Sequence, residues 1–422
     1  MRDAVVIALL SAAMFVAASA APSDVRMIEV SGPGAKFWPR WRGPSGQGVA
    51  VNGAYVDRWS PTTSIKWKVR LPGTANSSPI VWGDRIFVTT AEGGQRLSVM
   101  AFDRATGTVA WQTAVPANGM EWVHVKNGYA SATPATDGER IYASFGRHGL
   151  VALDMTGRIV WHRKFGTINN YHGPAGSPIL YKDRVFLYQD HDGSPDQKAF
   201  VAAFDARTGA TLWETRRTET VGWGTPIVIA TGIRDELVVS SQGRVAAYDP
   251  DGGRELWTVR GMTFEVIPTP VVGHGLVFAS SGRAGPTLAI RPGGSGDVTS
   301  THVAWSAARG SPFVPSGIIV GDLLYLVNDM QSILTVYEAA TGALVYQDRL
   351  GMAMREGFSA SPVAVNGKVF FTNDDGQTFV VQAGREFKLL HVNELGARTL
   401  ASPALVDGVW YWRTESELMA LQ

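Results

Sequence analysis

AFDRATGTVAW at Ala101–Trp111 and AFDARTGATLW at Ala203–Trp213 are two copies of one pattern. An apolar strand ends at an aspartate, a tight turn follows, and a glycine supplies the positive φ angle. The next strand then carries an indole. A tryptophan placed there can wedge between neighbouring sheets, burying a large ring and giving its N–H to a backbone carbonyl. A shortened copy is ALDMTGRIVW at Ala152–Trp161, and looser ones are AYDPDGGRELW at Ala247–Trp257 and VYEAATGALVY at Val336–Tyr346. The candidate docking residues are Trp67, Trp111, Trp161, Trp213, Trp257, Trp305 and Tyr346.

A second pattern alternates with the first. It runs Ser or Thr, Pro, an apolar stretch, a turn, then an apolar-aromatic run, as in SSPIVWGDRIF at Ser77–Phe87 and GSPILYKDRVF at Gly176–Phe186. Its anchors are Pro79, Pro134, Pro178, Pro226, Pro270, Gly317, Pro362 and Pro403, with glycine standing for proline once. Eight units of about 46 residues match the period of propeller blades. Alternation of apolar and polar residues indicates strands, four to a unit. An all-β, eight-bladed β-propeller is predicted; a doubly wound sheet and a helical solenoid are excluded. The last unit, from Ala401 to Gln422, has room for three strands. Ser64–Val69 with Trp67 is therefore expected to complete the C-terminal blade and close the ring, removing its open edges.

Composition agrees. Of 422 residues, 45% are hydrophobic and 18% charged, enough for a large core and too few charges for a disordered chain. Lys plus Arg is 38 against 37 Asp plus Glu, so no global charge attracts nucleic acid or an anionic membrane. The absence of cysteine excludes disulfides, thiolate chemistry and an N-terminal lipidated cysteine. Arg2, the apolar run Ala4–Ala18 and Ala18-Ser19-Ala20 read as a secretory signal over residues 1–20, either cleaved or kept as an anchor. An exported protein, periplasmic or secreted, is expected, with no membrane span in the mature chain. Residues 21–59 form a lead-in, residues 60–422 a single propeller domain, and a monomer is expected.

The AxDxxTGxxxW segments resemble the tryptophan-docking motif of the pyrroloquinoline quinone (PQQ) repeat family, over roughly residues 60–422, and FWPRWRGPSGQG at Phe37–Gly48 resembles the lead-in of its exported members. The resemblance implies the propeller fold; the motif packs blades and does not itself imply a bound quinone. One branch of that family contains quinoprotein dehydrogenases, which hold PQQ and calcium near the axis. Another contains non-enzymatic propellers such as the outer-membrane assembly lipoprotein. The missing cysteines depart from the adjacent-cysteine disulfide of many alcohol-oxidising members and from lipidation in the second branch.

The loops entering the innermost strands, and those between second and third strands, gather at one mouth of the axial channel, the default ligand site of such a fold. The long loop 118–134 brings Trp122, His124, Asn127 and Tyr129; the next brings Asn170, Tyr171 and His172; the second-to-third strand loops add Arg147, His148, Asp190 and His191. These residues make either a polar pocket or merely a cap on the channel. Arg147, Arg244, Arg283, Arg355, Arg398 and Arg413 lie in loops of the same kinds. Converging, they would favour a carboxylate or sugar acid; dispersed, they are solvated rim charge. Asp190-His191-Asp192-Gly193 with Asp196 and Asn373-Asp374-Asp375-Gly376 lack the full calcium-loop pattern and read as turns, so no metal site is assigned. His162 and His274 look structural.

A binding module that takes a protein or a small polar or sugar ligand at the mouth is the expected function, without a required cofactor. The alternative is a PQQ- and calcium-dependent dehydrogenase of alcohols or sugars. A third reading is a propeller polysaccharide lyase using Tyr129, Tyr171, His172 or His191.

Overall fold

The computed structural model describes residues 25–422 except 94–95, 118, 120–121, 167, 171, 193–197, 284, 309 and 353–356. The signal segment 1–20, Tyr171, Asp196 and Arg355 fall outside the described residues. Eight four-stranded antiparallel blades form a propeller, the sheet of blade 4 being widened to six strands by Arg26–Met27 on its inner edge and by Gly296–Asp297, in parallel, on its outer edge. Blades 1 to 7 span residues 80–115, 135–163, 179–216, 227–262, 271–307, 318–349 and 363–394. Blade 8 takes Ala404–Val406, Val409–Arg413 and Glu417–Leu421 from the C-terminus and Ile65–Arg70 as its outer strand, with Trp67 opposite Ala420. The ring is thus closed by the predicted N-terminal strand.

Within the blades the middle strands are buried; outer strands such as Ile65–Arg70 and Thr211–Arg216 alternate, whereas Glu255–Met262 of blade 4 is buried over Leu256–Val259. Buried residues from facing sheets form the core, for example Phe87, Val99 and Ala101 of blade 1 against Ile141 and Val151 of blade 2.

Docking follows one geometry at five interfaces. The indole N–H of Trp67, Trp111, Trp161, Trp213 and Trp305 donates to the carbonyl of Arg104, Met155, Ala206, Pro250 and Ala339 in the next blade's turn, at 3.0–3.1 Å. Each ring lies on the turn glycine of that blade: a Cβ on Gly107, Gly157, Gly209, Gly253 or Gly342 would sit 2.4–2.6 Å from it. Glycine is needed there twice over, for positive φ and for the indole's approach. Three interfaces differ. Trp257 is fully buried and donates to Glu236 Oε2 of its own blade at 2.7 Å, because residues 291–302 replace the blade 5 turn with a longer excursion whose Gly296–Asp297 pairs parallel to Trp257–Thr258. Tyr346 has no hydrogen bond from its buried hydroxyl and packs on Phe387. In blade 7 the docking register is held by His391, whose Nε2 bonds the carbonyl of Asp57 at 2.6 Å. Blade 8 has no third-to-fourth strand turn to offer, since its outer strand comes from the other end of the chain.

At the axis the Ser/Thr before each anchor builds a ring. Ser78 N–H donates to Thr133 Oγ1, Thr133 to Ser177, Ser177 to Thr225, Thr225 to Thr269, Thr269 to Ser316, Ser316 to Ser361, Ser361 to Ser402 and Ser402 back to Ser78, at 2.7–3.4 Å. Ser316 keeps the ring intact where Gly317 replaces proline. The following proline lacks an N–H, so the hydroxyl residue supplies the last donor before the inner strand begins.

The lead-in crosses the channel under this ring and bonds to the free edges of the inner strands. Arg26–Met27 pairs with blade 4, Trp38 exchanges backbone bonds with Val81, Pro39 accepts from Thr136, Gln47 Oε1 accepts from Val272 N–H, and Ala50 bonds Ala364. Trp38 is 1% exposed. Trp59 continues into an aromatic stack with Trp410, Trp412 and Phe370 of blades 7 and 8. The segment is a plug that satisfies donors and acceptors an open channel would leave to water.

Candidate functional site

Above the ring, on the opposite side from the plug, the channel opens among loops. The connection between blades 1 and 2 reaches furthest across it. Its Lys126 Nζ lies 3.3 Å from Asp374 Oδ2 of blade 7, and the Lys126 carbonyl accepts from Asn76 Nδ2. Asn127 Nδ2 donates to the His172 carbonyl at 2.8 Å, and His124 N–H donates to the same oxygen. The His124 and His172 rings are 4.7 Å apart, His172 stacks on Trp223 at 5.5 Å, and Trp122 lies 6.3 Å from both imidazoles. His172 Nε2 sits 3.1 Å from Glu265 Oε1, and Glu265 is buried, with Arg283 Nε 3.6 Å from its second oxygen. Trp122, His124, Asn127 and His172 therefore share one cluster, with Asn170 at its edge accepting through its carbonyl from Gly173.

Other predicted residues lie apart from it. Tyr129 packs into the core between blades 1 and 2. Arg147 and His148 occupy the short turn Gly146–His148, where the His148 carbonyl accepts from His162; burial, reinforced by Arg147, holds the His148 imidazole below its usual ionisation. His191 is buried, its Nδ1 accepting from Asn169 N–H. Asp190 pairs with Arg217 Nε at 3.0 Å, both about 1% exposed, while Arg217 also donates to Tyr248 and Ser241. Burial pushes Asp190 above the usual carboxylate range despite Arg217. Arg244 is held by Glu219 and Glu255 on the blade 4 flank. The five described arginines of that set do not converge: Arg283 joins the histidine cluster, and Arg398 and Arg413 border a separate cavity between blades 8 and 1. His274 bonds the Gly321 carbonyl.

Sequence reasoning did not single out Trp223, Glu265, Lys126 or Trp41. Trp223 and Glu265 sit in loops before anchors, the class already expected to form the mouth. Trp41, from the plug, helps line the axial cavity of about 120 Å³ together with the hydroxyl ring. Asn373-Asp374-Asp375-Gly376 is a turn, with Gly376 N–H bonded to the Asn373 carbonyl. Among the described residues no three His, Asp or Glu are grouped to hold a metal, and no helix is long and apolar enough to cross a membrane.

The blade count, docking indoles and axial ring define an eight-bladed propeller of the PQQ-repeat class. Within that class, the family described as outer membrane protein assembly factor BamB matches residues 49–190, 99–348 and 197–422, and the chain belongs to it. It is 31% identical to polyvinylalcohol dehydrogenase of Pseudomonas sp over 172 residues, 38% of this chain and 25% of that one. It is 25% identical to the assembly factor BamB of Shewanella oneidensis over 254 residues, 57% and 58% of the two chains. These alignments span between a quarter and about three fifths of the relatives' lengths. The crystal structure of BamB from Moraxella catarrhalis superposes with a TM-score of 0.60 at 14% identity, covering 85% of this chain and 99% of that one, a likeness of fold.

Proposed function

We propose that the protein is an exported, non-catalytic propeller that docks a partner protein on its open mouth. One observation carries this reading. Among the large exposed apolar side chains described, the aromatic and methionine ones are Trp122 (66% exposed), Phe264, Met330 and Met352, and all lie in mouth-side loops of blades 1–2, 4–5, 6 and 6–7. These residue types are the ones enriched at protein interfaces, and their exposure costs solubility unless a partner covers them. The opposite end is filled by the plug. The match to assembly factors favours the same reading.

Two features weigh against the quinone–calcium alternative. The axial cavity is small for a three-ring quinone and is walled by neutral hydroxyls rather than by cations that would meet its carboxylates. Asp190 and Asp374, two carboxylates in second-to-third strand loops at the mouth, are engaged by Arg217 and by Lys126 with Ser359. The saccharide-lyase reading loses Arg244 to its two glutamates.

Site-specific photo-crosslinking tests the proposal. A photoreactive residue at Trp122 or Phe264 should give discrete protein adducts in cells that export the chain, whereas one at Ile233, exposed beyond the plug end of blade 4, should not. Equal labelling at all three positions would refute mouth docking. A bound-quinone absorbance and dye-linked alcohol oxidation on adding PQQ and calcium would replace it with the dehydrogenase reading.

A further inference from the structure

Among the described residues Arg42, Arg217 and Arg413 are at most 2% exposed, and they differ in what surrounds them. Arg217 faces Asp190 and Glu219. Arg42, in the plug, donates to the Gln47 carbonyl, and Gly48 closes on its Nε and Nη2 so tightly that a Cβ there would lie 3.0–3.1 Å away. Arg413, the last residue of the second strand of blade 8, is 1% exposed and has no carboxylate paired with it. Its Nη1 donates to Ser77 Oγ at 2.8 Å and to the Thr89 carbonyl at 2.6 Å, tying blade 8 to blade 1. Its Nε and Nη2 have no hydrogen-bond partner.

Those two atoms form the side-on edge of the guanidinium, the pair of parallel N–H groups that fits a carboxylate or phosphate in two hydrogen bonds. The residue borders a cavity of about 100 Å³ whose other polar walls are Thr74, Asn76, Asn127, Arg398, Thr414 and the exposed Glu415. A buried cation with unmet donors is costly, and burial without a counter-ion depresses this guanidinium to about 9. An anion in the cavity would meet both deficits at once.

We infer that the cavity between blades 8 and 1 binds a small oxyanion, gripped side-on by Arg413 with Arg398 at its rim. The space admits an oxyanion group and little more, so the ligand is a small free acid, a phosphate, or the end of a longer molecule whose remainder lies outside. This site does not rest on a partner at the Trp122 loops and stands or falls separately.

The test titrates the full chain with acetate, inorganic phosphate, triglycine and triglycine amide against chloride at constant ionic strength. Melting temperature, calorimetry and the Arg Nε–H resonances are followed. Saturable stabilisation by at least one oxyanion is expected, with a shift of one buried Nε–H resonance. Triglycine acting without its amide would identify a peptide C-terminus, acetate alone a small acid, and phosphate alone a phosphate ligand. Arg413→Lys keeps the charge but loses the planar fork and should weaken binding by about tenfold or more. Arg398→Gln, at a partly exposed position, should weaken it less and serves if the first variant does not fold. No saturable shift with any oxyanion would overturn the inference and leave the cavity to water, as would unchanged affinity in both variants.

Discussion

The interface between blades 3 and 4 and that between blades 4 and 5 start from the same repeat and close in different ways. At the first, Trp213 reaches across to the Pro250 carbonyl, lies on Gly253, and is flanked by Thr215 donating to the Gly253 carbonyl at 2.6 Å. At the second, Trp257 holds the same place in its strand, opposite Ala247 as Trp213 is opposite Ala203, yet turns its N–H back to Glu236. The difference lies in the neighbour. Blade 4 presents an Asp-x-x-x-Gly turn with an open carbonyl; blade 5 presents the excursion 291–302, which covers the outer strand and leaves no turn to dock on. The destination of an indole is therefore set by the next blade and not by its own motif.

Five variants sharpen this comparison. The largest effect is expected from Trp257→Ala, which removes a fully buried ring and strips Glu236 Oε2 of its donor. It should cost about 5 kcal/mol against about 3 kcal/mol for Trp213→Ala, by chemical denaturation. Equal losses would mean that the Glu236 bond adds nothing. Gly253→Ala follows, at about 1 to 3 kcal/mol, because the added methyl meets the Trp213 ring at 2.4 Å and φ is +76°. The same substitution at Gly243, where nothing lies within 4 Å, should retain only the cost of its positive φ and so be milder. Ser361→Ala opens the axial ring by orphaning the Ser316 N–H, and about 1 to 2 kcal/mol should be lost; water taking the place of the hydroxyl would appear as no loss.

The smallest effect concerns pH. In the blade 2 turn, the Thr156 hydroxyl first, then Arg158, hold Asp154 down to about 2. Its folded-state ionisation lies below the unfolded value of about 3.9. The stability it contributes is therefore complete above that value and lost as pH falls toward 2. Asp154→Asn should remove that contribution near neutrality and flatten the acid limb, so that the two stability curves converge as pH falls toward 2. In the blade 5 excursion Asp297, held down to about 2 by the Thr299 hydroxyl and N–H with Arg260, gives the matching titration.

Much of the architecture was readable from spacing. The eight anchors, the docking turns and the borrowed strand around Trp67 depend on local chemistry: alternation makes strands, and glycine permits the turn. The mouth was legible as a set of loops, and Trp122, His124, Asn127 and His172 meet there. The roles of Arg147, His148, His191 and Arg244 were not, because a loop position does not reveal whether a charge faces the axis or a neighbouring blade. Arg244 has two glutamates within reach that are distant or unremarkable in sequence, Glu219 and Glu255.

The amino-acid sequence alone determined that this chain repeats eight times and that its last blade needs a strand from its beginning, since turn chemistry and strand periodicity act over a few residues. Only the tertiary structure decided that Phe37–Gly48 seals the axis, that His391 docks on Asp57 for want of a turn in blade 8, and that Arg413 keeps two donors unmet beside a cavity. Each of these depends on which groups burial brings together from distant parts of the chain, and the cost of leaving a buried donor or acceptor unpaired is settled only once those neighbours are in place.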